Sequence, residues 1–360
     1  MQPSTPLLSI CIPTFNRAGL LDVCLASLLP QVSAHVTAQV TAAGPIVECV
    51  VSDNCSSDAT QATLAKYQGQ FPFLRISRNT SNIGIIGNIT KVASELATGQ
   101  FVWLIGDDDV MTVGAVDRLL NRLHQSPCVD LVALNVGYED GNRRPTAQQA
   151  WCGVVSQTAK TLRRSAVDGE FAFEQLFEGP CADLTPMYSL AMRHSLWQQH
   201  YPVASTAEPF SSVESTYPHA AIIAQHLPGK RAGLIAEPAI IIYEMPSEQF
   251  SWAKHHSKTI LMWFTELLQR YERAGVPRQV LEPYYLYQLL HRSEELGDLM
   301  FNRHTSGGLG DGLKFAWMYR RYPLLLIRSL LIACAHPDAP KLLSVPLRAW
   351  LKRRNARSSK

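Results

Sequence analysis

The chain has 360 residues, 46% of them apolar and 18% charged. That composition excludes a disordered or fibrous protein and leaves room for one large domain or a domain with a subdomain. Net charge is only +3, but it is unevenly placed. Residues 311–360 carry 11 Lys or Arg against 2 Asp or Glu, a net of +9, while residues 1–310 carry −6. A basic end on a mildly acidic body points to a polyanionic surface, and an anionic membrane is favoured over nucleic acid because no recognition motif accompanies the charge.

None of the eight cysteines stands in a Cys-x-x-Cys pair, which argues against a zinc ribbon or a thioredoxin-type site. Cys11 and Cys49 fall inside apolar runs and read as buried thiols, so a reducing cytosol is the expected compartment. The apolar run Leu7–Ile12 is too short for a signal peptide, and Arg328 interrupts the longest apolar stretch, so no spanning segment is expected.

In chain order, Leu8–Ile12 predicts a buried strand closed by Pro13. Asn16 is placed to cap the next helix, whose apolar face is Leu21, Cys24, Leu25 and Leu28. Pro30–Pro45 reads as a long loop, an insertion on the acceptor or partner side. Val47–Ser52 and Phe73–Ser77 predict two further strands, with a helix to about Tyr67 between them. A helix with Ile85, Ile89, Val92, Ala93 and Leu96 follows, and Phe101–Ile105 is a fourth strand. Val116, Leu119, Leu120 and Leu123 mark another helix, and Val129–Val136 another strand. This alternation predicts an α/β fold with a doubly wound, mainly parallel sheet flanked by helices. Beyond Gly141 the pattern weakens. Ala220–Leu227 reads as a helix, Glu237–Tyr243 as a strand, and the chain from about Ser257 onward as a helical C-terminal extension. The expected organisation is a catalytic domain over 1–245 and a helical region with a basic tail over 246–360.

Parallel sheets bind ligands at the carboxyl ends of their strands. Thr14–Arg17, Asp53–Asp58, Asn79–Gly87 and Gly106–Asp109 each follow a predicted strand, so four polar loops converge on one edge. Asp107-Asp108-Asp109 is the sharpest of them, because adjacent carboxylates repel unless a cation neutralises them. Hard oxygen ligands suit Mg²⁺ or Mn²⁺. The competing reading is a solvated acidic turn before a helix. Asp53 can accept hydrogen bonds from a base or ribose, whereas Asp58 is better placed as a cap. Asn82–Asn88 resembles a Gly-rich phosphate loop, though Asn82 fills the first glycine position; the alternative is a turn in which Gly84 supplies positive φ.

Together these four blocks resemble family 2 glycosyltransferases of the GT-A fold: Ile12–Arg17, Val51–Asp58, Asn82–Gly84 and Gly106–Asp109, in that order. Trp103–Asp109 is similar to the corresponding segment of abequosyltransferase-type O-antigen sugar transferases. The resemblance implies a nucleotide-sugar donor, an inverting transfer and Mn²⁺ or Mg²⁺ on the donor diphosphate. It implies that Pro13 and Thr14 line the base pocket, that Arg17 stands near the donor, that Asp53 reads the base, and that Asn82 and Gly84 sit by the nucleotide. Asp107 and Asp109 fit the family's Asp-x-Asp form directly, while the adjacent Asp108 leaves the register open; Asp107 is favoured at the ribose, with Asp108 and Asp109 at the metal and Asp108 also at the nucleotide. The general base that takes the acceptor proton is expected downstream, at Glu214, with Asp183 and Glu208 as alternatives. His219 is a further candidate for a supporting or acceptor contact, but a lone histidine in that place is more often structural.

The acceptor implied is a surface glycan, lipid-linked, at the cytoplasmic face of a membrane. Phe315, Trp317, Tyr319, Tyr322 and Leu324–Leu326 interleaved with Arg320, Arg321 and Arg328 suit an interfacial helix; the alternative is a helical subdomain with a solvated basic end. Two rivals to a sugar transferase stand beside it. A phosphohydrolase with a nucleophilic Asp is disfavoured, because Met111 stands where Asp-x-Asp-x-Thr/Val needs Thr or Val. A non-catalytic nucleotide-sugar-binding or scaffold protein remains.

Overall fold

The computed structural model describes residues 5–38, 46–71, 73–154, 160–161, 167–177, 184–206, 208–244 and 253–358. The chain divides into two compact units, Met1–Met245 and Pro246–Lys360.

The first unit is built on a mixed, mostly parallel sheet. Its strands are β1 (Leu8–Thr14), β2 (Val47–Asp53), β3 (Leu74–Arg78), β4 (Phe101–Leu104), β5 (Asp109–Met111), β6 (Leu131–Asp140), β7 (Lys160–Thr161), β8 (Gly169–Ala172), β9 (Leu190–Arg193) and β10 (Arg231–Glu244). The order is β3-β2-β1-β4-β9-β6-β10-β5, with β7 on β6 and β8 on β10. β3, β2, β1 and β4 are mutually parallel, so their carboxyl ends share one edge. β9 runs antiparallel between β4 and β6, while β10 is parallel to β6 and antiparallel to β5. β1 and β2 are almost wholly buried, as their near-continuous apolar runs require of strands covered on both faces.

The helices of this unit are α1 (Ala18–Ala38), α2 (Thr60–Gln70), α3 (Gly84–Lys91), α4 (Ala115–Gln125), α5 (Ala147–Trp151), α6 (His194–Thr206) and α7 (Pro218–His226). Pro30 lies inside α1, so residues 30–38 are helix where the sequence reads as loop. Burial of Leu28, Leu29 and Val32, each 0% exposed, overrides the hydrogen bond that proline forfeits. Residues 39–45 lie outside the described segments. Asn16 does not cap α1. Its backbone is left-handed at φ 53°, and its side chain accepts from the Ser57 amide at 2.7 Å. The Ala18 amide donates instead to Asp58 at 3.1 Å, and Asp58 also accepts from the Thr60 amide at 3.0 Å. One carboxylate thus serves the first turns of two helices, where negative charge is favoured.

At the opposite edge of the sheet, Glu48 is buried and accepts from the Thr98 amide at 2.7 Å and the Thr98 hydroxyl at 2.8 Å. Against the opposing effect of burial, the Ser9 hydroxyl, these two Thr98 bonds and Arg75 together hold the carboxyl below the usual glutamate range. The chain then passes so close to β1 that a Cβ on Gly99 would lie 2.7 Å from the Ser9 backbone nitrogen.

The second unit is helical: α8 (His256–Lys258), α9 (Phe264–Arg273), α10 (Arg278–His291), α11 (Ser293–Phe301), α12 (Leu309–Met318), α13 (Pro323–Ala333) and α14 (Lys341–Ser358). Leu267, Leu268, Tyr271, Leu289, Leu296, Phe315 and Tyr319 are all 0% exposed. The Tyr319 ring stacks on Phe315 at 4.4 Å, and its hydroxyl pairs with Thr265 at 2.9 Å. α12 is therefore part of this unit's core. The same helix leaves Leu313 73% and Trp317 67% exposed. Among the described residues no helix is long and apolar enough to cross a membrane.

Gly99→Ala should lower stability by about 1–3 kcal/mol, because its Cβ meets rigid β1 backbone rather than a side chain that can move aside. Urea unfolding would measure the loss; an unchanged midpoint would contradict this close approach.

Candidate functional site

The four polar loops meet at the carboxyl edge of β3-β2-β1-β4. Thr14, the last residue of β1, is buried and donates its hydroxyl to Asp107 Oδ2 at 2.7 Å. Arg17 donates through one guanidinium nitrogen to Asp107 Oδ1 at 3.0 Å and to Asp108 Oδ2 at 3.2 Å. Two loops that are 90 residues apart in sequence are joined by this fork.

The three aspartates have distinct surroundings. Asp107 is 4% exposed; burial, opposed by Arg17 and reinforced by Asp108, pushes its carboxyl up to about 6. Asp109 is 3% exposed and opens the short strand β5, paired with Ile242 of β10. Its Oδ2 accepts from the Gly106 amide at 2.7 Å, and burial together with Asp108 raises its carboxyl well above the usual range. The Asp108 side chain is the most accessible of the three, at 23%. Neither Asp108 Oδ1 nor Asp109 Oδ1 receives a hydrogen bond among the described residues. An additional Cβ has no room here, since one built on Gly106 would lie 2.6 Å from Asp108 Oδ1.

Among the described residues no three His, Cys, Asp or Glu side chains form a ready metal cage. The donor set still fits a divalent cation of the Mg²⁺ or Mn²⁺ class. Such ions take one or two carboxylates and complete their shell with water and substrate phosphate oxygens. Two carboxylate oxygens without donors, one on a buried group, offer the protein's share.

Arg144 was not anticipated from sequence. It donates to the Asp108 carbonyl and, at 3.1 Å, to the Tyr243 carbonyl, tying the aspartate loop to the end of β10. Tyr188 was also missed. Its hydroxyl lies 3.2 Å from that of Tyr138, and burial, Tyr138 and the charges of Asp109 and Asp108 push it upward. No local pattern marks either residue.

Asp53 is fully buried. Its Oδ1 accepts from the Ser56 amide at 3.0 Å, while its Oδ2 accepts from Gln61 and pairs with Arg78 at 3.3 Å. Both oxygens are thus engaged within the protein, by the loop itself, by α2 and by the end of β3. The neighbouring Asn54 joins this loop to the next. It donates to Asn82 at 2.8 Å and to the Gly84 carbonyl at 3.2 Å, and accepts from the Ile83 amide and from Asn79, both at 3.0 Å. Asn82 closes the turn by accepting from the Gly84 amide at 2.8 Å, and Gly84 adopts φ 78°, the left-handed region that favours glycine. Pro13, half-buried, and the Thr14 carbonyl, which accepts from the Asn54 amide at 2.9 Å, complete this side.

The candidates for the base lie on a separate segment. Pro209 stands 3.9 Å from where a Gly84 Cβ would be, so the 208–217 loop runs against the Asn82–Gly84 turn. Within it the buried Ser215 hydroxyl accepts from the amides of Ser211 at 3.0 Å and Ser212 at 2.9 Å. Glu214 is half-buried between Val213 and Ser215, both 0% exposed, directly before α7. It lies close enough to His200 to raise that imidazole against the lowering effects of burial and His226. Glu208 is exposed. Asp183 lies outside the described residues. His219 is buried in α7 and bonds the Thr185 carbonyl at 2.7 Å; burial lowers it to about 4, so it is neutral at pH 7.

Asn54→Ala strips partners from the Ile83 amide and Asn79 together. It should cost about 1 kcal/mol, the scale of a net hydrogen bond, since Ile83 is 44% exposed and Asn79 keeps its bond to Asn88 at 3.0 Å. Thermal and urea unfolding would record the loss, and retention of full stability would show that the two loops hold without this bridge.

The sequence profile described as Glycosyl transferase family 2 matches residues 9–198, from β1 into α6. The chain is 32% identical over 106 residues to abequosyltransferase RfbV of Salmonella typhimurium, covering 29% of each chain. It is 29% identical over 121 residues to the GalNAc(5)-diNAcBac-PP-undecaprenol beta-1,3-glucosyltransferase of Campylobacter jejuni, covering 33% of this chain and 35% of that one. These matches span about a third of the curated relatives' length. Among solved structures, S. aureus TarS 1–349 superposes with a TM-score of 0.58 at 14% identity, covering 94% of this chain and 88% of that one. TarS has also been solved in complex with UDP and with UDP-GlcNAc, and these superpose at TM-scores of 0.54 and 0.52. With the profile spanning more than half of its length and the sheet, flanking helices and helical C-terminal region in place, this chain belongs to glycosyl transferase family 2 and has the GT-A fold.

Proposed function

We propose that the protein transfers one sugar, with inversion, from a nucleotide-sugar donor to a hydroxyl of a lipid-linked surface glycan of the O-antigen type. The observation that carries this reading is the Arg17–Asp107–Asp108–Asp109 cluster at the carboxyl edge of four parallel strands, with two carboxylate oxygens left without donors. Family membership supports the reaction class. The names of the Salmonella and Campylobacter relatives support the acceptor class, and the nucleotides in the TarS complexes support the donor class.

In this reading Asp108 and Asp109 hold a Mg²⁺ or Mn²⁺ ion, which when bound neutralises charge on the donor diphosphate. Arg17 fixes Asp107 and Asp108 in place and adds positive charge near the departing diphosphate. Thr14 orients Asp107, which is left to the ribose hydroxyls. The asparagine-clamped turn at Asn82–Gly84, with Pro13 and Thr14, forms the nucleotide side. Asp53, whose oxygens are engaged by Ser56, Gln61 and Arg78, contributes by shaping the pocket wall. Glu214 takes the proton of the acceptor hydroxyl as its oxygen attacks the anomeric carbon from the face opposite the leaving diphosphate. Its place in a tight turn beside the nucleotide-side loop supports the choice over the exposed Glu208.

Attachment at the cytoplasmic face of a membrane belongs to the same proposal. It is supported by Leu313, Trp317, Leu324 and Ile327, each more than half exposed on α12 and α13, which carry Lys314 and Arg328 and are joined through Arg320 and Arg321. A non-catalytic nucleotide-sugar-binding or scaffold protein would use the same carboxylates, and turnover is what separates it from the transferase reading.

Asp108→Asn and Asp109→Asn should each abolish sugar transfer and weaken Mn²⁺-dependent nucleotide binding while leaving the fold intact. Full activity in EDTA, or in both variants, would remove the metal assignment. The assay is turnover of a panel of nucleotide sugars with Mn²⁺ present. Glu214→Gln should lower turnover by about 10²-fold or more with donor affinity nearly unchanged. Near-normal turnover in that variant, with loss in Asp183→Asn, would move the base to Asp183.

A further inference from the structure

The helical unit contains a cleft of about 450 Å³ that plays no part in the proposed transfer. Four arginines line it, Arg273 at the end of α9, Arg278 at the start of α10, and Arg320 and Arg321 after α12, against one carboxylate, Glu272. Glu272 is already committed. It bonds Arg278 at 2.9 and 3.0 Å and Arg321 at 3.3 Å, and Arg278 is held further by the Tyr322 hydroxyl at 2.8 Å and by Glu282 at 3.3 Å. This scaffold fixes one wall. Arg273 and Arg320 remain without a carboxylate partner among the described residues. Arg273 donates only to the Gln269 carbonyl at 3.1 Å. Arg320 donates to the Trp317 carbonyl at 2.7 Å and lies over the Trp317 ring at 4.2 Å. Two guanidiniums with free donors on a concave, net-positive wall suit a tetrahedral oxyanion, whose oxygens match the planar fork.

The neighbouring surface narrows the ligand. Leu309, Leu313 and Trp317 recur every fourth residue along α12 and are 58%, 73% and 67% exposed, so an apolar stripe leads to the cleft. Solvated arginines at helix ends are common, but the stripe ending at a pre-built basic cleft is not explained by solvation. We propose that the cleft binds a phosphate or diphosphate group, with the α12 stripe contacting an apolar chain attached to it. The site needs no step of sugar transfer, though its lipid part rests on the membrane attachment proposed above, with which it shares Leu313 and Trp317.

The test uses the full-length protein and two probes: inorganic pyrophosphate, followed by calorimetry, and phosphatidylcholine vesicles containing phosphatidic acid, followed by sedimentation. The variant is Arg273→Gln/Arg320→Gln, and the charge-matched control is Lys341→Gln/Lys352→Gln. The double variant is expected to bind about tenfold or more weakly than the control. Loss on vesicles supports the proposal, whereas loss confined to pyrophosphate overturns it, because the α12 stripe then has no apolar chain to contact. Arg273→Lys/Arg320→Lys keeps the charge and loses the fork, so it should lie between wild type and the Gln variant even if the Gln variant folds poorly. A wild-type protein that binds neither probe, or a double variant no weaker than the control, overturns the proposal. Donor turnover on the same preparations reports separately on the transferase reading and should be unaffected by these substitutions.

Discussion

The structure depends on concentrating negative charge where solvent cannot screen it. Asp107 and Asp109 are buried, Asp108 stands between them, and Arg17 is the cation in direct contact with the group. Arg144 approaches too, but spends its donors on backbone carbonyls. Burying carboxylates is costly unless hydrogen bonds and opposite charge compensate. Here Thr14, the Gly106 amide and Arg17 compensate in part, and the upward displacement of Asp107 and Asp109 expresses the remainder. A site held in this state gains most from a ligand that brings positive charge, and a cation bound there in turn attracts a diphosphate.

That charge can be held at one point because the surrounding loops are rigid. Asn54, Asn79, Asn82 and Asn88 pass hydrogen bonds among one another, and Asn88 anchors the set to Ser52 at 2.7 Å and 2.9 Å. A side-chain amide has both donors and an acceptor, so each asparagine can satisfy partners on two sides without adding charge. This neutrality matters beside the aspartates, where further carboxylates would add repulsion. Cys24 extends the support from below, its thiol donating to the Gly106 carbonyl at 3.6 Å.

What the sequence made legible follows from how locally each feature is encoded. β1, β2 and β4 are short apolar runs between polar loops, and their parallel pairing puts Thr14, Asp53 and Asp107 on one edge as the alternation predicts. β5 and β9 escaped because their strand character comes from their partners: Asp109–Met111 pairs with β10, and Leu190–Arg193 fills the gap between β4 and β6. Pro30 misled because propensity was weighed without the burial of its neighbours. Asn16 misled because a residue in the left-handed region turns its side chain toward Ser57. Asp53 was legible as a strand-end acid, but its saturation by Ser56, Gln61 and Arg78 is a tertiary fact. Arg144 and Tyr188 reach the site across the sheet and leave no local trace.

In the basic tail, α12 has one face packed in the helical unit, as a subdomain requires, and one apolar face left to solvent. Phe315 and Tyr319 sit in the core of the helical unit, while Leu309, Leu313 and Trp317 point to solvent. A helix turns about 100° per residue, so positions 315 and 319 lie on one side and 309, 313 and 317 on the other. Removing the segment after Gly310 would therefore take away buried aromatics as well as the exposed stripe, and any loss of membrane attachment would be inseparable from loss of fold. Only substitutions on the exposed face, which leave the Tyr319–Thr265 hydrogen bond and the Phe315 stack untouched, can ask what that face is for.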